Sequence, residues 1–343
     1  MGREDQLINK LALGVPSAAG LQKLRDSRGA AVRLGIGDDA AVVAPGRNAD
    51  WVVTCDGFLE GTHFLADRHP ADSVGYKSLS RATSDIAAMG ATARFFLLTL
   101  AIPQQLTDEW LAGFLRGMRR AAKELGVVLI GGDTTRSASV AISITVMGEV
   151  APGRAITRSG ARPGDLICVT GKLGCAQLGL ELIRNSPAKG VKDLCRRESR
   201  LLRQHLYPQI RLKLGQWLAA HRVVSSMIDV SDGLSTDLGR LCAVSGVGAR
   251  VWASRIPLVR IPAGYSKLAR KLRLDPLRMA LHGGDDYELL FTVPRRMAKR
   301  LESATEFRDI TAIGEIESGR RILLVDSEGR AEALRPGGWD PFR

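Results

Sequence analysis

Val127-Val128-Leu129-Ile130-Gly131-Gly132-Asp133-Thr134-Thr135 is the stretch on which the fold turns. Four apolar, mostly β-branched residues predict a buried strand, and the Gly-Gly-Asp after them predicts a turn at its end. Immediately upstream, Gly126 closes a helix opened by Thr107, with Asp108 and Glu109 in its first turn. Its stripe is Trp110, Leu111, Phe114, Leu115, Met118, Ala122 and Leu125, the spacing of one buried helical face. Before it, Phe95 to Ile102 reads as a second buried strand, stopped by Pro103. Strand, helix and strand in that order predict an α/β unit, and the alternating Val140 to Val150 adds a half-buried strand.

Further outward, Trp51-Val52-Val53-Thr54 reads as a strand running into Asp56-Gly57. Asp72 can cap a helix carrying Val74, Leu79, Ile86 and Met89 and ending near Gly90, and an amphipathic helix is expected at Glu4 to Leu13. The turn-rich run with Pro152-Gly153, Ser159-Gly160 and Pro163-Gly164 marks a domain boundary, giving domains at residues 1–150 and 151–343. In the second half, Leu166 to Thr170 is a buried strand, followed by helical stretches to about His221. A strand ending at Ile228-Asp229 meets Ser231-Asp232-Gly233 at the head of a helix, and Gly283-Gly284-Asp285-Asp286 leads into a strand from Tyr287 to Val293. The fold class is therefore α+β, two α/β domains, and a Gly-Gly-Asp turn in each half raises an internal duplication.

With 343 residues at roughly 100–200 per domain, two domains fit the length. Hydrophobic residues at 45% and charged residues at 25% describe a globular chain with an ample core. No apolar run approaches the ~20 residues that span a bilayer, and the N-terminus lacks the apolar core of a signal peptide, so no membrane partner is expected. Five cysteines, odd in number and without a CxxC pair, argue against a disulfide framework or a structural zinc site. The expected compartment is the reducing cytoplasm. The net charge of +13 falls largely on helix faces such as Arg196-Arg197 with Arg200 and Arg203, or Arg295-Arg296 with Lys299-Arg300. With only 5% aromatic residues there is no base-stacking platform, and nucleic acid is not an expected partner.

The chemistry is carried by aspartates. Asp38-Asp39 follows Gly35-Ile36-Gly37, Asp56 precedes Gly57, and Asp85 precedes Ala-Ala-Met-Gly after one isoleucine. Asp133 follows Gly131-Gly132, Asp229 and Asp232 flank Val230-Ser231, and Asp285-Asp286 follows Gly283-Gly284. One Asp-Gly is a common turn or cap; six such positions at the ends of apolar strands are harder to dismiss. Gathered carboxylates repel one another unless protons or cations intervene. Oxygen donors without a Cys or His cluster select a hard ion, so several Mg²⁺ ions are expected, bridging carboxylates to nucleotide phosphates. The usual phosphate and hydrolase signatures are missing: no GxxxxGK[ST], no His-Glu-x-x-His and no Gly-x-Ser-x-Gly. Gly35-Ile36-Gly37-Asp38-Asp39-Ala40 mimics a dinucleotide fingerprint, but its two carboxylates would repel a pyrophosphate.

Taken together and in order, Gly35-Ile36-Gly37-Asp38-Asp39-Ala40-Ala41, Glu60-Gly61-Thr62-His63-Phe64, Ser84-Asp85-Ile86-Ala87-Ala88-Met89-Gly90-Ala91 and Leu129 to Thr135 form a recognisable set. Thr157-Arg158-Ser159-Gly160 through Asp165, Ile228-Asp229-Val230-Ser231-Asp232-Gly233-Leu234 and Gly283 to Leu289 continue it. The chain resembles the thiamine-monophosphate kinases, within the superfamily of aminoimidazole ribonucleotide synthetase-like ATP enzymes. The resemblance implies an N-terminal domain that forms a barrel shared across a homodimer and a C-terminal α/β domain that completes the active site. It implies ATP-dependent phosphorylation of thiamine monophosphate to thiamine diphosphate, the last step of that cofactor's synthesis. By the same resemblance Asp39, Thr54, Asp56, Asp85, Asp133, Asp229 and Asp232 would hold Mg²⁺, and Gly132, Asp133, Arg158 and Ser231 would contact ATP. His63, Asp285 and Trp339 would meet thiamine monophosphate. No catalytic base is implied, because the accepting phosphate oxygen is already ionised and the barrier is electrostatic.

The chain departs from the family pattern at three places. Asp285 stands where Glu is usual, Cys55 precedes Asp56 where Thr or Ser is usual, and Arg81-Ala82-Thr83-Ser84 lacks a frequent Asn. On the residues alone, His63 also reads as a structural histidine and Trp339 as an anchor for the tail. The alternatives are another ATP-using member of the superfamily acting on a different small substrate, and a non-catalytic binder of nucleotides or nucleic acid.

Overall fold

A computed structural model of the chain describes residues 48–186, 191, 194–195, 199–303 and 305–340, together with the backbone of three short strands. These are β1 (Leu24–Arg25), β2 (Ala31–Leu34) and β3 (Val42–Ala44), paired in sequence order. The expected helix at residues 4–13 and the motif containing Asp38 and Asp39 lie outside the described residues. The chain divides into two compact units, one within Met1–Ile86 and Ala91–Ala155, the other within Ala87–Gly90 and Ile156–Arg343. Both mix helices with sheets, as the α+β reading expected.

In the first unit, β4 (Asp50–Leu59), helix α1 (Ala71–Ala88), β5 (Thr92–Ile102), helix α2 (Glu109–Leu125), β6 (Val128–Arg136) and β7 (Ala141–Val150) follow one another. The sheet order is β4-β7-β5-β6, with β5 and β6 parallel and the other pairs antiparallel. The parallel pair is joined through α2, the strand–helix–strand unit expected from residues 95–135. Strand β7 alternates, burying Ile142, Ile144 and Val146, and α2 buries Leu111, Phe114, Leu115, Met118 and Ala122. Gly126, at φ +70°, turns the chain left-handed and donates its N–H to the Ala122 carbonyl, ending the helix where expected. Helices α1 and α2 approach until their backbones touch. A Cβ at Gly75 would overlap the Phe114 carbonyl, and one at Gly117 would overlap the Asp72 carbonyl.

Two expected turns are strands instead. Asp56-Gly57 lies inside β4, paired with Ile144 and Ser143, and Gly131-Gly132-Asp133 lies inside β6. Gly132 serves a close approach, since a Cβ there would overlap the Leu98 carbonyl on β5. The Gly-Gly-Asp of the second half does lie in a loop, and that half builds a larger sheet. The shared tripeptide therefore marks no structural repeat.

The second unit contains β8 (Leu166–Thr170), α3 (Cys175–Arg184), α4 (Ser199–Leu206), α5 (Leu212–His221), β9 (Ser226–Val230), α6 (Leu234–Ser245) and β10 (Gly248–Trp252). It continues with α7 (Ser266–Leu272), α8 (Pro276–His282), β11 (Glu288–Val293), α9 (Ala298–Glu302), β12 (Ile310–Glu317), β13 (Ile322–Val325) and β14 (Ala331–Ala333). Seven strands form one sheet in the order β14-β13-β10-β12-β8-β11-β9. Strands β9 and β11 are buried throughout. Leu234, Leu238 and Leu241 of α6 pack with Val169, Ile228, Val251 and Leu290. Helices α3, α4 and α8 make a second cluster around Leu178, Leu182, Leu202 and Met279. Strand β11 lies between β8 and β9, so the loops preceding β11 and following β9 emerge side by side.

Candidate functional site

In the first unit, alternation along β4 puts Thr54, Asp56 and Phe58 on one face, the face that α1 covers. Thr54 Oγ1 donates to Asp85 Oδ2 at 2.6 Å. Arg81, one helical turn before Asp85, donates Nε to Asp56 Oδ2 at 2.6 Å and Nη2 to Oδ1 at 3.1 Å. Its guanidinium lies 5.2 Å from the centroid of the Phe58 ring. His63, in the turn after β4, packs its ring 5.7 Å from the same Phe58. Its Nδ1 accepts the Leu59 N–H at 3.0 Å, which leaves the proton on Nε2 in the neutral ring. Cys55 points to the other face, where Ser143 and Thr145 hold its thiol below the usual range. Gly132 and Asp133 lie on β6, and the exposed Asp133 accepts the Thr134 N–H at 2.8 Å. Strands β4 and β6 are the two edges of the sheet, so Asp56 and Asp133 stand three strand spacings apart, roughly 14 Å.

In the second unit, three segments distant in sequence meet. Buried Asp229 is the penultimate residue of β9, opposite Leu289 of β11. Beyond β9, the Ser231 carbonyl accepts the Asp285 N–H at 2.8 Å and the Asp232 carbonyl accepts the Trp339 N–H at 2.9 Å. Asp285 and Tyr287 both adopt positive φ, +68° and +50°, and the Tyr287 hydroxyl donates to Asp285 Oδ1 at 2.7 Å. Asp286 between them is fully buried and accepts the N–H groups of Gly174 and Ala176 at the head of α3. Burial raises the Asp286 carboxyl to about 7.

The tail reaches the same place. Gly337 donates its N–H to Ser235 Oγ at 3.3 Å and Gly338 donates to Thr236 Oγ1 at 3.1 Å. A Cβ on Gly338 would lie 2.7 Å from Thr236 Oγ1 and would overlap the Asp232 carbonyl oxygen. Ser235 Oγ is also 2.9 Å from His282 Nδ1, on a ring that burial and then Arg278 hold below the usual histidine range. Trp339 is 42% exposed. Arg158 is exposed, on a segment tied to β9 by the Met227 N–H to the Thr157 carbonyl at 3.0 Å.

Among the candidates named from sequence, Ser231, Asp232, Asp285 and Trp339 are thus joined by main-chain hydrogen bonds, and Thr54 is joined to Asp85. Asp39 lies outside the described residues. Four neighbours escaped the sequence reading. Arg81 holds Asp56, Tyr287 holds Asp285, and Asp237 with Arg240 holds Asp232: Arg240 Nη1 is 2.6 Å from Asp232 Oδ2 and 2.9 Å from Asp237 Oδ1. An acid at Asp237, in the first turn of a helix that follows Ser-Asp-Gly, is the signal that could have revealed it.

Among the described residues no three His, Cys, Asp or Glu gather closely enough to hold a metal ion. The donors are nevertheless all oxygen, hydroxyl or carboxylate, the set that suits a hard cation. Asp56 and Asp232 each already face a cationic side chain, Arg81 and Arg240. The residues therefore fit Mg²⁺ in chemistry. No helix among the described residues is long and apolar enough to cross a membrane.

Comparison with known proteins gives a consistent result. Residues 37–150 match the family model for the AIR synthase related protein, N-terminal domain, and residues 162–327 match that for the C-terminal domain. The chain is 36% identical over 315 residues to the thiamine-monophosphate kinase of Escherichia coli (strain K12), covering 91% of this chain and 92% of that protein. Its fold is similar to the crystal structure of thiamine-monophosphate kinase from Stenotrophomonas maltophilia K279a, with TM-score 0.76, 35% identity and coverage of 95% and 96%. It is also similar to AaThiL complexed with AMPPCP and TMP, with TM-score 0.72, 30% identity and coverage of 89% and 91%.

Proposed function

The chain belongs to the thiamine-monophosphate kinase family of AIR synthase related proteins, and from that premise we propose how its residues divide the work of the reaction. The reaction is transfer of the terminal phosphoryl group of ATP to thiamine monophosphate, giving thiamine diphosphate and ADP. The observation that carries the assignment of residues is the meeting of the Ser231-Asp232 loop, the Asp285 turn and the Gly337–Trp339 strap. Two of these segments carry acceptor-side candidates, and the third carries residues for ATP and metal.

By the family likeness, Ser231 and Arg158 in the second unit and Gly132 and Asp133 in the first are the residues assigned to ATP. Trp339 offers its exposed face to the cationic thiazolium or the pyrimidine ring, and by the family likeness Asp285 and His63 are also assigned to thiamine monophosphate. Tyr287 fixes the Asp285 carboxylate, so the shorter acid standing in the place of the usual Glu still has a defined direction. Thr54, Asp56, Asp85, Asp133, Asp229 and Asp232, with Asp39, would hold magnesium. Bound there, Mg²⁺ neutralises the charge that two approaching phosphates develop. Arg158 adds a fixed positive charge against the same repulsion. No side chain has to remove a proton, because the accepting phosphate oxygen is ionised at neutral pH.

The homodimer with a shared barrel is part of the same reading. Edge strand β4 leaves Val53 61% and Leu59 43% exposed. The sheet face that carries Phe95 and Ile130 also holds half-buried Trp51, Leu97, Val128 and Met147. A second copy closing over this face would bury them. The five free cysteines and the ATP requirement favour the cytoplasm.

The direct test is ATP-dependent conversion of thiamine monophosphate to thiamine diphosphate, lost when Mg²⁺ is chelated. Absence of turnover across a sensible range of metals and pH, with turnover of a different acceptor in a substrate panel, would move the chain to another activity of the superfamily.

A further inference from the structure

Resting on that reading, we propose that Asp237 is the positioning residue of the Ser231-Asp232-Gly233 loop, filling from inside the protein the anion cradle at the head of α6. Successive main-chain N–H groups that converge on one point make a nest for an anion, and at a helix N-terminus the usual guest is a phosphate. Here the three N–H groups of Ser231, Asp232 and Gly233 all donate to Asp237 Oδ2, at 3.1, 3.0 and 3.1 Å. The guest is thus a carboxylate four residues along the same chain, with no exposed surface. Gly233, at φ +109°, gives the loop the curvature that aims three consecutive amides at one atom.

The other oxygen of Asp237 faces Arg240 Nη1 at 2.9 Å, and that same nitrogen reaches Asp232 Oδ2 at 2.6 Å. One guanidinium therefore ties the Asp232 side chain to the acid that ties its backbone. With the amides turned inward, the carbonyls of Ser231 and Asp232 are both used. Ser231 receives the Asp285 N–H and Asp232 receives the Trp339 N–H. A single buried acid thereby fixes the residues assigned to ATP and metal and, through two carbonyls, the residues assigned to the acceptor. Toward phosphate the loop offers the Ser231 hydroxyl, because its amides are already committed, and the Asp232 carboxylate is left for a cation.

The test pairs Asp237→Asn with Asp237→Glu in the full-length chain. The amide keeps the size but loses the charge and puts an NH₂ group in competition for the cradle. The glutamate keeps the charge but moves it by one methylene. Amide hydrogen exchange at residues 231–233 is expected to quicken at least tenfold in both, with the strands at 226–230 and 288–293 still slow. In the folded fraction kcat is expected to fall about 100-fold for Asp237→Asn and at least tenfold for Asp237→Glu, the scale of a misplacement of about 1 Å. KM for ATP and for thiamine monophosphate should rise together, threefold or more, although different segments bind them. A merely structural role would lower the melting temperature and leave kcat and both KM values of the folded protein at wild-type levels. That result, or unchanged exchange at 231–233 in the variants, overturns the proposal. Failure of the wild-type chain to use thiamine monophosphate would instead defeat the functional reading, and the exchange measurement would still decide what Asp237 holds.

Discussion

Replacing Gly338 by Ala tests whether the tail places Trp339 against the acceptor. The added Cβ would lie 2.7 Å from Thr236 Oγ1 and would overlap the Asp232 carbonyl oxygen. Relief to an ordinary contact of about 3.5 Å requires the strap to back away by well over an ångström, the overlap with the Asp232 carbonyl being the deeper of the two. The two hydrogen bonds nearest the clash, Gly338 N–H to Thr236 Oγ1 at 3.1 Å and Trp339 N–H to the Asp232 carbonyl at 2.9 Å, do not survive that shift. At about 1 kcal/mol net for each, the strap loses roughly 2 kcal/mol of its seating. Because about 1.4 kcal/mol is a factor of ten, KM for thiamine monophosphate should rise about 10- to 30-fold. KM for ATP should stay within twofold. The tail is exposed, so the melting temperature should fall by no more than about 2 °C. The assay is ADP release at steady state with each substrate varied in turn, checked by direct titration of thiamine monophosphate. An unchanged KM for thiamine monophosphate in a correctly folded variant would refute the placement of Trp339 through this strap.

Two further outcomes are expected. Asp133→Asn should lower kcat by about 10³ or more while the melting temperature stays within a few degrees, because Asp133 is exposed and makes only a local bond to the Thr134 N–H; turnover and thermal melts compare the two directly. Asp286, raised by burial from 3.8 to about 7, binds its proton more tightly folded than unfolded, so its stabilising contribution is complete below about pH 4 and is lost as pH rises through about 7. Three pKa units correspond to about 4 kcal/mol at most, and denaturant titrations at pH 4 to 8 should show a flatter pH dependence for Asp286→Asn than for the wild type.

Much of the first unit was legible because its helix and strands are bounded by residues with one physical role each. Gly126 ends α2 by adopting positive φ, Pro103 follows β5, and the Leu111–Met118 stripe has the helical period. Gly132 misled because glycine serves close approach as readily as turning, and Gly57, with open space around it, is carried into β4 by its pairing with Ser143. Whether a neighbouring strand passes over a glycine is set by long-range pairing, such as that of β6 with β5, which local sequence does not encode. The aspartates stand out as a set in the sequence, and the structure puts Asp229, Asp232 and Asp285 on adjoining segments at the β9 and β11 ends without gathering three acids into one cluster. Asp237 was not legible, because an acid near a helix start has a bland role as a cap, and only the convergence of three amides on its oxygen distinguishes it. Arg81 was hidden for a related reason. Its pairing with Asp56 joins a helix to a strand 25 residues earlier, and no periodicity links them.

The Gly337–Trp339 strap is held by its own backbone amides, whose partners are two hydroxyls and a carbonyl. Three main-chain hydrogen bonds thus set its register. Tyrosine or phenylalanine substituted at position 339 would be carried on the same main-chain hydrogen bonds, so the aromatic surface proposed for the acceptor is open to exchange. Evolution can retune that surface one codon at a time without redrawing the backbone beneath it.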